Sequence, residues 1–372
     1  MLAGLRVLVR ITVGLGLGLV APPSWGEPFL VWMASEGSDA NSGLDEGHPV
    51  KTLGRVHAIL QANLQSEHRD AEVRIAHGTY LNDSVDWRFT MDDHYIKFTR
   101  WPDGPTPYDR PLFKSVSAGD PAKGAGGTWF HLRYNDQGQP SNLVFWYLRV
   151  EHYDQAIDFD GSVACDAWNG YNTVYGCYFY EIGTLYTVTP SDESCTGCIR
   201  MQNSRNNLIQ NNHFVRIQTR SVWDHLHAIY VSDYSSNNMI KNNRFKTVMG
   251  DPIRVRNASN WNRVTGNRFV GCGQNAAVSE WLCLCPDYPE CVEEGCYECK
   301  SFENRVYANV LDGKYGCAQG LSPWYIKVQN ENDGCPPQDP ECVSSDGCTS
   351  PGAPHRFHTW DNVRTDVPCS SE

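Results

Sequence analysis

Asn238-Met-Ile240-Lys-Asn-Asn243-Arg-Phe245 is followed, 24 residues on, by Asn262-Arg-Val264-Thr-Gly-Asn267-Arg-Phe269. The same frame, Asn-x-(Ile/Val)-x-x-(Asn/Cys)-x-(Phe/Leu), occurs three more times. It appears as Asn172-Val174-Cys177-Phe179, Asn207-Ile209-Asn212-Phe214 and Asn304-Val306-Asn309-Leu311. The other steps are 35, 31 and 42 residues, the pattern of a repeat whose loops vary in length. Each unit holds short alternating runs typical of strands and no helical period. One such unit cannot bury its own apolar face, but stacked units can, so the repeat predicts a parallel β-solenoid. Asn suits the turns because it tolerates the left-handed region and can bond along a stack of identical side chains.

These residues resemble the β-helix repeats of the pectate-lyase-like superfamily over about residues 71–311. The start is also similar to secreted members of that group. Gly37-Ser38-Asp39-Ala40-Asn41 and Lys51-Thr52-Leu53 precede Val73-Arg74-Ile75-Ala76-His77-Gly78-Thr79-Tyr80. The resemblance implies an all-β fold, a right-handed parallel β-helix with disulfide-rich loops. Leu53, Val56, Leu60 and Leu64 fall at helical spacing and predict a short N-terminal helix that caps the open edge of the first coil. The expected organisation is a signal peptide over 1–26, an N-terminal strand and capping helix over 27–70, the solenoid over 71–311 and a Cys/Pro-rich C-terminal cap over 312–372. Phe357 to Val363 is a candidate for one further strand.

Working outward, Arg6 and Arg10 precede the apolar run Ile11–Val20 and the small-residue site Ser24-Trp25-Gly26. That is the layout of a secretory signal, with an uncleaved anchor as the alternative. No later run is long enough to span a bilayer, so after cleavage the expectation is a monomer that is secreted (extracellular or periplasmic), with no membrane insertion. Fifteen cysteines suit export, and most are expected in disulfides. The cluster Cys283–Cys299 has no interleaved histidine, which favours disulfides over zinc. An odd count requires at least one free thiol or intermolecular bond. The net charge of −12 argues against nucleic acid as a partner, yet local arginines can still meet an acidic polysaccharide.

Four strands carry the alternation that locates a site. They are Ile157-Asp158-Phe159-Asp160, Ile199-Arg200-Met201-Gln202, Ile229-Tyr230-Val231-Ser232 and Ile253-Arg254-Val255-Arg256. With the first and third residues inward, one outward column reads Asp158, Arg200, Tyr230, Arg254 and the next Asp160, Gln202, Ser232, Arg256. Arg200, Arg254, Arg256, Tyr230 and His227 are the candidate catalytic residues. Trp223, His225, Gln202 and Trp281 are candidate substrate contacts. No cofactor is required by the pattern. Calcium is the ion that Asp158 and Asp160 would take, although two carboxylates do not complete its oxygen cage.

A uronate proton is weakly acidic, so its removal needs a cation opposite the carboxylate and a group that moves the proton. Members of the superfamily divide the labour in this way, and the resemblance implies a polysaccharide lyase acting on a uronate-containing polymer. A uronate epimerase would share the constellation. A glycoside hydrolase would instead use a carboxylate pair such as Asp158 with Asp160, or Asp224 with Asp251. A non-catalytic carbohydrate-binding or adhesive protein is the remaining alternative, given 12 tryptophans and 18 tyrosines.

Overall fold

The computed structural model describes residues 26–102, 109–133, 138–162, 166–190, 196–220, 225–273, 275–281, 300–313, 324–328 and 357–365. Residues 1–25, within the expected signal peptide 1–26, and most of the C-terminal segment lie outside them, as do Trp223, Asp224 and twelve of the fifteen cysteines.

Three long sheets of 10, 9 and 8 strands run through the molecule, and every paired neighbour in them is parallel and one coil away in sequence. Each coil passes from one sheet to the next. For example, Met239–Lys241 lies in the first, Arg244–Val248 in the second and Ile253–Val255 in the third. The solenoid extends beyond the repeat that the sequence displays. Phe29–Met33 heads the first sheet, and Phe357–Trp360 and Val363–Thr365 close the first and second. These outer coils lack the full Asn–apolar–Phe frame, which is why the repeat alone does not reveal them.

Two buried asparagine ladders explain the motif. In the first, the backbone N–H of each Asn donates to the side-chain oxygen of the next at 2.9 Å, through Asn172, Asn207, Asn238, Asn262 and Asn304. In the second the series runs Cys177, Asn212, Asn243, Asn267, Asn309, Asn362. In the second ladder each Asn also donates its amide to a backbone carbonyl of the preceding coil, as Asn243 does to Ile209 at 2.9 Å. The corner backbone is thereby satisfied without water, as a buried turn requires. The left-handed residues are not the rungs but their predecessors, for instance Asn211, Asn242, Gly266 and Ala308. Asn is selected at the rungs for its paired donor and acceptor, not for its backbone freedom.

Inside, side chains stack by kind. Phe179, Phe214, Phe245 and Phe269 lie ring on ring at 4.8–5.0 Å. Val174, Ile209, Ile240, Val264 and Val306 form a second buried column, and Ile157, Ile199, Ile229, Ile253 and Val278 a third. Helix α1 (Leu53–Leu64) begins at Thr52, whose hydroxyl accepts from Arg55 N at 3.2 Å. It buries Leu53, Val56, Ile59, Leu60 and Leu64 and contacts Phe29–Met33 and Val85–Trp87, the terminal strands of the first and third sheets.

Cys177 and Cys272 are free, while the twelve cysteines on which the disulfide expectation chiefly falls lie outside the described residues. Both are buried thiols, with Cys177 in the position that Asn fills on later rungs. Each thiol hydrogen-bonds a backbone carbonyl, Cys272 that of Val270 at 3.1 Å. Burial pushes both up to about 12. The remaining cysteine within the described residues, Cys198, is also buried. No helix of the described residues is long and apolar enough to cross a membrane.

Candidate active site on the third sheet

The third sheet realises the expected register. Asp158 faces Arg200, Arg200 faces Tyr230 and Tyr230 faces Arg254, while Asp160 faces Gln202 and Gln202 faces Ser232. The same outward column extends upstream through His131 to Asp86 and downstream to Ser279. His131 and Asp86 were not read from the sequence, although Phe130-His131-Leu132 and Val85-Asp86-Trp87 carry the same apolar–polar–apolar alternation.

At the acidic end, Arg200 is bracketed by carboxylates. One guanidinium nitrogen lies 3.6 Å from Asp158 and the other 3.7 Å from Asp160, and the second also bonds the Gln202 side chain. His131 joins the group from the preceding coil, with Nε2 3.1 Å from Asp160 and Nδ1 3.3 Å from Asp86. Asp158 is buried, and burial lifts its carboxyl to about 6; Arg200 works against that rise and Asp160 adds to it. Asp86 is held below its ordinary range, chiefly by a hydrogen bond from Arg133. A shallow hollow opens beside Asp160, lined by Arg133, Gln139, Trp168 and Thr90 among others. Asp158 and Asp160 do not fit calcium. Asp158 Oδ2 and both Asp160 oxygens face a guanidinium and an imidazole, not further oxygen donors.

At the basic end, Arg256 donates from Nη1 to the Tyr230 hydroxyl at 2.9 Å and lies over the Trp281 ring at 4.3 Å. Trp281 and Arg256 are partly exposed, and His225 is exposed. Two residues are placed differently from expectation. Arg254 is only 8% exposed and lies 3.6 Å from the buried Asp251, whose other oxygen caps the backbone of Asn275 and Ala276. His227 shares the inward parity of Ile229, is 2% exposed, and hydrogen-bonds the Asp251 carbonyl through Nδ1 at 2.7 Å. Burial, with Arg254 beside it, drives the imidazole well below its ordinary value, so it is neutral. Tyr230 is itself only 9% exposed, with Arg254 beside it in register on the next coil and the His227 ring 5.7 Å from its own.

Residues 153–282 match the family model described as the right handed beta helix region. The fold is thus a parallel β-helix, right-handed by its match to that family model. No curated protein sequence matches the chain. Among solved structures, the alginate lyase of Paenibacillus sp. str. FPU-7 is 11% identical. That match covers 84% of this chain and 94% of that one, with a TM-score of 0.43. Pectate lyase Pel9A is 11% identical over 81% of this chain and 77% of its own, with a TM-score of 0.36. The Streptococcus pneumoniae surface protein and adhesin PfbA is 13% identical over 74% and 78%, with a TM-score of 0.41. Likenesses at this level say nothing about chemistry.

Proposed function

We propose that this protein is an exported carbohydrate-active enzyme that cleaves an acidic, uronate-containing polysaccharide by β-elimination. The observation that carries the reading is the setting of Tyr230. Its hydroxyl is held by Arg256 at 2.9 Å, and its register neighbours on either side are Arg200 and Arg254. A phenol held by one guanidinium and flanked in register by two further arginines, on a chain of net charge −12, is a local exception that suits an anionic substrate. Arg200, on the adjacent coil about 4.8 Å away, would face the sugar carboxylate and oppose the charge that grows there as the neighbouring C–H bond breaks. Tyr230, as the phenolate held by Arg256, would take that proton. The electron pair forms the C4–C5 double bond, the C4–O bond breaks, and the proton passes to the departing oxygen on the same face. Trp281 offers a ring for stacking beside Arg256.

A second reading rests on Asp158 and Asp160. A carboxyl raised to about 6 beside a partly exposed carboxylate is the acid and base split of a glycoside hydrolase.

One assay separates the two. The purified protein is incubated with pectate, alginate and glycosaminoglycans, and ultraviolet absorbance and reducing ends are followed together. Elimination leaves an unsaturated uronate that absorbs, whereas hydrolysis produces reducing ends alone. An epimerase would yield neither and change only sugar composition. If no acidic polymer gains absorbance, the elimination reading is wrong.

A further inference from the structure

The corner between the first and second sheets carries a second charged surface, on the side of the coil away from Tyr230. From Asn238 to Val270 the chain has a single acid, Asp251, and that residue is buried against Arg254 on the third sheet. Apart from Arg254 and Arg256 on the third sheet, the other charges of this stretch lie at the corner, as Lys241, Arg244 and Lys246 on one coil and Arg263 and Arg268 on the next. Arg305 follows on the coil after that.

Register places like beside like. Arg244 faces Arg268 and His213, and Arg263 faces Arg305. Opposed like charges on neighbouring strands are unfavourable, and nothing in the ladders or the core requires arginine at outward positions. Arg268 pairs with Asp312. By contrast, the side chains of Lys241, Arg244, Lys246, Arg263 and Arg305 make no ion pair or hydrogen bond with another described residue. The crowding is felt at His213, which is pushed below its ordinary value by burial and then by Arg110 and Arg244. Upstream, the same column continues as Tyr178 and Arg149. The Arg149 guanidinium lies 5.3 Å from the Tyr178 ring and pairs with Glu151. The track Arg268–Arg244–His213–Tyr178–Arg149 crosses five coils.

We infer that this corner is a binding track for a single chain of a linear carboxylated polysaccharide, separate from the site of cleavage. The inference takes its polymer class from the function proposed above, but not its chemistry. Coils repeat every ~4.8 Å, comparable with the advance per sugar of an extended glycan, so the cations paired on neighbouring coils, Arg244 with Arg268 and Arg263 with Arg305, can meet successive carboxylates. A strip two or three side chains wide on an acidic protein suits one thin polyanion. It does not suit a duplex, which needs a broad basic face, or a bilayer, which needs exposed apolar side chains as well. Holding the polymer here would raise its local concentration at the third sheet of the same molecule.

The test is affinity electrophoresis of the full chain through gels containing polygalacturonate, alginate or neutral pullulan, with Arg244→Ser/Lys246→Ser/Arg263→Ser beside the wild type. The track predicts retardation by the acidic polymers only. The triple variant should lose at least ~10-fold in affinity, with a shallower salt dependence, because fewer counterions are released. It should melt no lower than wild type, since like-charge crowding is relieved. Tyr230→Phe should be retarded as wild type is, which separates this binding from cleavage. The inference is overturned if the wild type is not retarded by either acidic polymer, if the triple variant binds equally well, or if only oligonucleotides or anionic vesicles are bound.

Discussion

Arg256 reaches back across one coil to donate a 2.9 Å hydrogen bond to the hydroxyl of Tyr230. Guanidinium can only donate, so the tyrosine oxygen accepts in this bond whether or not it carries its proton. The contact fixes the oxygen's position while leaving its proton inventory open, as a proton-moving group requires. Arg256→Ala should lower turnover by about 10²-fold, in line with the loss of one donor from a charged reaction centre. The melting temperature should shift little, because Arg256 is partly exposed. Steady-state kinetics and a melting curve on the same preparation check both halves.

The asparagine ladder is predicted to be the costliest polar feature to disturb. Asn243 accepts from the backbone and side chain of Asn212 at 2.9 and 3.0 Å, and donates to Ile209 O and Asn267 Oδ1. Asn243→Ala orphans several buried groups and should cost on the order of 3–5 kcal/mol. Asn362→Ala, at the partly exposed last rung, should cost about 1 kcal/mol. Urea unfolding midpoints give the comparison directly.

Asp83 should make stability depend on pH. Burial raises its carboxyl to about 7, against the lowering effect of the Leu53 N–H at 3.1 Å. A folded value above the unfolded one means that the native state holds the proton more tightly. Stability is therefore fullest below about pH 4 and falls as pH rises towards 7. Asp158, lifted to about 6, adds to the same trend. Asp83→Asn should flatten the curve between these limits, by on the order of 4 kcal/mol. Unchanged melting-temperature profiles would contradict the assignment.

Cys177 and Cys272 should resist thiol reagents in the native protein, because both are buried and raised to about 12, where almost no thiolate exists at neutral pH. Alkylation resolved by mass spectrometry should find them unmodified until denaturant is added.

Much of this was legible before any coordinates. The Asn-x-(Ile/Val)-x-x-Asn-x-Phe frame contains both ladders and two of the core columns. The two-residue alternation around Ile157, Ile199, Ile229 and Ile253 sets the register of the site, because a one-residue slip would bury charge. What was not legible follows from tertiary placement. Counting cysteines suggests disulfides, but Cys177 occupies an asparagine rung, where its role is packing. His227 is two residues before Ile229 and so inward, a parity overshadowed by the polar run around it. The Arg254–Asp251 contact closes across a tight turn that no period reports. The first coil, built from Phe29–Met33, has no asparagine rung to announce it.

Everything functional here turns on one phenolic oxygen. The most direct measurement is the rate at which Tyr230→Phe generates unsaturated product from an acidic polysaccharide that the wild type cleaves, on protein of unchanged melting temperature. The account predicts a loss of about 10²–10⁴-fold. A Tyr230→Phe enzyme that turns over at the wild-type rate would contradict it.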